Sequence, residues 1–210
     1  MVLTLLLAAL PTSKVFAADT GWTFAGTGIS PSGDGEWENP GRITADDDSY
    51  SRAVVTAGSD SQVLRARNFG FEIPAGADIE KKSVEVGRYN PLGDSIYDKA
   101  VQLVKYGTPV GDPEKKTDPW AATESPPILY EPTDDLWNTE WTPEDINHVN
   151  FGVNLTVENK ATGNRGAYVD YIRVKVRYTE DTTPPFVTNN VLVGLLTNAF
   201  PIPVTIKFNE

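Results

Sequence analysis

Between Trp22 and Tyr178 apolar residues recur at every second position in short runs, and Gly, Pro, Asp and Asn fall between the runs. The clearest run is Phe151-Gly-Val153-Asn-Leu155-Thr-Val157. Its Phe, Val, Leu and Val side chains share one face, and Gly152, Asn154 and Thr156 share the other. Successive side chains of a strand point to opposite sides, so this period of two predicts a half-buried strand. Residues 168–178, "YVDYIRVKVRY", repeat the pattern: Ile172, Val174, Val176 and Tyr178 face a core, while Arg173, Lys175 and Arg177 face water. Further strands are predicted at 51–55, 62–66, 69–73, 84–89 and 99–105. Many short strands between turn residues, with no run of helical period, predict an all-β fold, an antiparallel jelly-roll-like β-sandwich.

One helical signal interrupts the strands, Thr142-Pro143-Glu144-Asp145-Ile146-Asn147. Thr142 can cap, Pro143 suits the first helical position and Asp145 stands at the far end of a capping box, so a single turn is predicted, leading into the Phe151 strand. Residues 111–138 are rich in Pro, Asp and Glu and read as long loops on the sandwich rim. A rigid scaffold holds such loops in place, which makes them places to look for function.

The two ends have a different texture. An apolar run from Val2 to Leu10, a polar segment with Pro11 and Lys14, and then Val15-Phe16-Ala17 give the order of a secretory signal peptide over residues 1–17. The run is about half of the ~20 apolar residues a membrane span needs, so no membrane insertion is expected. The sandwich module is expected over 18–180 and a Pro-containing linker over 181–187. Beyond it Val204, Ile206 and Phe208 alternate again, so 188–210 reads as the opening of a second β domain that is incomplete here.

Charge and cysteine count narrow the partners. Lys and Arg number 18 against 29 Asp and Glu, a formal charge of −11. So acidic a chain repels phosphate backbones, which argues against nucleic acid and favours divalent cations. There is no cysteine, so outside the cell the stability must come from the core, and thiol chemistry is excluded.

Two resemblances follow from particular segments. "DTTPPFV" and "FPIPVTIKFNE", closing on Phe208-Asn209-Glu210, are similar to the start of the bacterial Ig-like repeats of surface-layer and other cell-surface proteins. The larger part resembles an uncharacterised β-sandwich module of secreted bacterial and phage-associated proteins. Its matching pieces are "WENPGRITADDDSYSRA", "LRARNFGFEIPAGADI", "VQLVKYG", "DLWNTEWTPEDINHVNFGVNL" and "YVDYIRVKVRYT", in that order from Trp37 to Thr179. Asn138 stands where the pattern has Gly, a turn position that Asn tolerates. The resemblance implies a sandwich architecture and an extracellular setting, secreted or surface-attached; no established reaction comes with it.

That scaffold carries two groups of candidate site residues. Asp46, Asp47 and Asp48 form an acidic triplet, and Asp170, in phase with Ile172 and Val174, is expected to face the core. A carboxylate so placed must be paired, hydrogen-bonded or metal-bound. First and last strands of a sandwich often lie close, so the triplet and Asp170 together are either a solvated turn with a capped carboxylate or a structural Ca²⁺ site. Carbohydrate-binding jelly rolls with a comparable Val-Asp-Tyr-Ile strand hold calcium with such a residue, which is the analogy behind the second reading. Trp120 and Tyr130 lie in the acidic rim loops and are the candidate platform for an extracellular glycan or other cell-surface component. Trp137 and Trp141 read as core plugs under the Thr142 turn. His148, the single histidine, falls in a connector, Gly26–Gly33 reads as a loop, and the Asn154-Leu155-Thr156 sequon reads as chance. With no catalytic motif in the chain, the expectation is a non-catalytic structural or adhesive module of a larger secreted or cell-surface protein, then a glycan-binding module, and third a polysaccharide-degrading enzyme using a carboxylate pair.

Overall fold

The computed structural model describes residues 15–124 and 126–181. Residues 1–14 of the expected signal peptide, the segment 188–210 expected to open an Ig-like domain, and the expected linker from 182 onward lie outside the described residues. Residues 17–180 form one compact unit.

Two antiparallel sheets make up the fold. The strands are β1 (Val15–Asp19), β2 (Thr23–Phe24), β3 (Thr27–Ile29), β4 (Trp37–Glu38), β5 (Ser51–Val55) and β6 (Leu64–Arg67), then β7 (Asp78–Tyr89), β8 (Ile96–Lys105), β9 (Thr108–Pro109), β10 (Ile128–Tyr130), β11 (Gly152–Asn159) and β12 (Arg165–Asp181). One sheet runs β10-β7-β12-β5-β4, with β1 and β2 also pairing with β12. The other runs β3-β6-β11-β8-β9. The central strands explain the pattern in the sequence. β11, between β6 and β8, turns Val153, Leu155 and Val157 inward, where they meet Val84 and Val86 of β7 and Ile172, Val174 and Val176 of β12 in one buried cluster. Each such side chain, fully buried, contributes about 1.5–3 kcal/mol.

The helical turn is α1 (Pro143–Asn147), with both bonds of the predicted capping box: Asp145 N–H donates to Thr142 Oγ1 at 3.2 Å, and Thr142 N–H to Asp145 Oδ2 at 2.9 Å. It places Asn147 to bond both backbone groups of Ile73 at 2.8 Å. Those bonds stand in for a ladder, because the strand predicted at 69–73 is absent. Asn68 and Gly70 have φ of 59° and 70°, left-handed values that break the extended path, yet Phe69, Phe71 and Ile73 still point into the core. Alternation there reports burial without pairing. Conversely, residues 26–33, read as a loop, contain the edge strand β3. Among the described residues no helix is long and apolar enough to cross a membrane.

Candidate functional site

Trp120 and Tyr130 were expected on the rim, but both are in the core, at 0 % and 1 % exposure. The reason is a buried acid on β8. Asp98 accepts the Trp120 indole N–H at 2.8 Å, the Tyr130 hydroxyl at 2.9 Å and the Lys116 backbone N–H at 2.8 Å. The Arg88 guanidinium completes the set, 3.4 Å from Asp98, 3.0 Å from the Tyr130 oxygen and 4.6 Å from the Trp120 ring centre. These rings are buried inside the protein and present no face to a sugar. Trp137 and Trp141 are core residues too, their indole N–H groups donating to Lys82 and Leu136 carbonyls. His148 lies in the connector after α1, edge-on to Tyr106 at 4.5 Å.

The acidic residues assemble elsewhere, around a β-bulge in β12. Val169 pairs with Arg88 and Tyr171 with Gly87, so Asp170 is an added residue with no β7 partner. On its other edge β12 pairs with β5 up to Val169 and with β2 from Arg173. Asp170 sits in the gap between them. The bulge corrects the phase expected from simple alternation. Val169 before it and Ile172 after it both enter the core, whereas the Asp170 carboxylate lies with Glu124 on the opposite face of the sheet. Asp170 is nevertheless 0 % exposed, because the 44–50 loop crosses the gap and Asp48 N–H donates to its Oδ2 at 3.3 Å.

Carboxylate oxygens of Asp46, Glu124 and Asp170 lie within 4.8 Å of one another. The other members of the triplet make hydrogen bonds within their own loop. Asp47 Oδ1 caps Ser49 N–H at 3.0 Å in an Asx turn, and Asp48 Oδ1 accepts the Tyr50 hydroxyl at 3.1 Å. Asp170 Oδ1, by contrast, is buried with no hydrogen-bond partner among the described residues. Glu124, which sequence reasoning missed, comes from the Pro- and Asp-rich loop and rests over Gly87. A Cβ built on Gly87 would stand 2.2 Å from Glu124 Oε1 and 2.6 Å from the Tyr171 ring. Gly87→Ala is therefore expected to push Glu124 out and cost about 1–3 kcal/mol, seen as a lower urea midpoint. An unchanged midpoint would contradict this close approach.

Electrostatically the cluster is unbalanced. Burial, then the charge of Asp170, push the Glu124 carboxyl up to about 6, against the lowering hydrogen bond from Tyr50. Burial raises Asp170 as well, only partly offset by backbone N–H groups of Asp48 and Asp47, and the Asp46 charge adds to the rise. Carboxylates that resist ionising together, with one oxygen unsatisfied, form an arrangement that a proton or a hard cation would relieve. No family model matches the chain, and no curated protein matches it.

Proposed function

We propose that this chain is a non-catalytic β-sandwich module of a larger secreted or cell-surface protein, fastened by Ca²⁺ held between Asp46, Glu124 and Asp170. The observation that carries the reading is the buried Asp170 carboxylate, which has Oδ1 unpartnered among the described residues and an oxygen within 4.8 Å of those of Asp46 and Glu124. An ion there would tie the 44–50 loop and the Glu124 loop to β12, a structural rather than a chemical task.

Two comparisons of magnitude favour calcium. Ca²⁺ takes oxygens at about 2.3–2.6 Å in loose geometry, so oxygens up to 4.8 Å apart can share one ion, whereas Mg²⁺ demands a tight octahedron at about 2.0–2.1 Å. The same spacing is short for the carboxylate pair of a glycosidase, whose two groups stand about 5–9.5 Å apart.

Thermal unfolding in Ca²⁺ and in chelator tests the reading. At 100 times Kd the ion should add about 2.7 kcal/mol, and so raise Tm by several degrees in a domain of this size. Asp170→Asn should abolish the difference. Identical melting curves for the unaltered chain would remove the cation from the account.

A further inference from the structure

We infer that the turn at 134–138 is a latch released by falling pH, with the buried amine of Lys82 as its sensor and Trp137 as the side chain it uncovers. This is independent of the calcium reading.

The turn occupies an edge. β10 covers the edge of β7 from Val84 to Val86, and past the end of β10 the turn takes over the same edge. Lys82 holds it there with both backbone groups. Its N–H donates to the Asp135 carbonyl at 3.0 Å, and its carbonyl accepts the Trp137 indole N–H at 3.0 Å. On the other edge of β7, Lys82 pairs with Val176 of β12. The turn can therefore lift from β7 while the sheet stays intact.

The turn is also strained. Asp135, Trp137 and Asn138 have φ of 56°, 59° and 52°. Asp and Asn tolerate the left-handed region, but a side chain as large as Trp is an exception there and persists only where its surroundings impose it. Burial of the indole imposes it here, since Trp137 is 1 % exposed. Packing outside the turn is thin: Asp134, Trp137 and Asn138 border a surface cavity of about 240 Å³ that reaches Asp112 and Glu114.

The sensor sits in the core. Lys82 Nζ is sealed from solvent and has no hydrogen-bond partner among the described residues. The Trp141 ring lies 4.9 Å from it, and Lys105 Nζ of β8 approaches the same ring to 4.8 Å. Two nearby carboxylates, Asp134 and Asp135, belong to the turn itself. Asp135 is engaged by Lys81 at 2.9 Å, and Asp145 of α1 by Lys105 at 2.8 Å, so neither answers Lys82. A closed turn thus suits a neutral amine and penalises an ammonium. Opening relieves the ammonium by admitting water and freeing Asp134 and Asp135 to approach. Burial holds the amine at about 7 in the closed state, against 10.5 in water. Between those values each pH unit lost multiplies the opening constant by up to about ten, and below pH 7 nothing more is gained.

Amide hydrogen exchange between pH 7 and pH 9, corrected for intrinsic rates, tests the latch. The residue 82 amide and the Trp137 indole report the turn, and the Val153 and Leu155 amides of the central strand β11 report unfolding of the whole domain. The turn protons are expected to be about tenfold or more less protected than those of β11. Their protection should fall by up to about a hundredfold from pH 9 to pH 7. Lys82→Met, which keeps the backbone bonds and removes the amine, should raise protection at pH 7 and flatten its pH dependence. Equal protection in the turn and in β11 overturns the inference, because the proton is then taken up only when the entire domain unfolds. A turn that opens alike at both pH values, or that keeps its pH dependence in Lys82→Met, overturns it as well.

Discussion

Asp98→Ala is expected to destabilise the domain by about 3–5 kcal/mol, a large part of the 5–15 kcal/mol that a domain commonly has. The substitution removes the acceptor of four bonds at once. It leaves the Arg88 guanidinium 3 % exposed with no countercharge, and it strands the Trp120 indole N–H. Tyr130 and the Trp120 ring still contact Arg88, but neither carries a negative charge. Urea unfolding should show the drop in midpoint, and Trp120 emission should shift as the rim loop loosens. Replacing the pair together, Arg88→Met with Asp98→Leu, should cost much less than Asp98→Ala alone, since no charge is then abandoned. A single-variant loss below about 1 kcal/mol would mean that water reaches Arg88 in the folded protein.

The opposite sign is expected at Lys82. This residue lies in phase with Val84 and Val86 on β7 and is fully buried, and its Nζ has no hydrogen-bond partner among the described residues. The Trp141 ring, 4.9 Å away, offers it a cation–π contact. Burial pushes the ammonium down from 10.5 to about 7, against the attraction of Asp134 and Asp135 and with repulsion from Lys105. Lys82→Met keeps the unbranched shape and removes the charge, and it should stabilise the fold by roughly 2–4 kcal/mol at neutral pH and below. The pH dependence follows from the direction of the shift. Between pH 7 and 10.5 the unfolded chain holds the Lys82 proton and the folded chain does not, so stability of the unaltered protein rises with pH in that window. The advantage of the variant is therefore full below about pH 7, shrinks through the window and is gone above it. Paired melting curves across that range measure it. A constant difference would place the amine in contact with solvent.

Both predictions concern charged residues that sequence reasoning did not single out. Arg88 falls inside the strand predicted at 84–89, but Lys82 and Asp98 precede the predicted starts at 84 and 99, because β7 and β8 begin earlier than their apolar alternation shows. Strand β5 matches its predicted bounds, and the capping box of α1 forms as its residue types dictate. The burial of Trp120 and Tyr130 was not legible, because it depends on an acid at the far end of a strand, 22 and 32 residues away. A polar loop with aromatic residues looks alike in sequence whether its rings face water or plug a sheet. Within the acid cluster, Asp46 and Asp170 could be named from their types and the expected approach of two strands. Glu124 could not, since it sits in a loop without period, and the space for it is made by a glycine on another strand. The bulge was invisible for the same reason: one added residue leaves the composition of a strand unchanged while reversing its phase.

Being an addition makes position 170 dispensable to the framework though not to the cluster. Take the residue out, and Val169, Tyr171 and Ile172 alternate regularly against Arg88, Gly87 and Val86, so Ile172, Val174 and Val176 stay inside while Arg173, Lys175 and Arg177 stay in water. What such a deletion takes away is the carboxylate beside Asp46 and Glu124. Drifting sequences could thus lose the ion by shedding a single residue and keep their interior undisturbed.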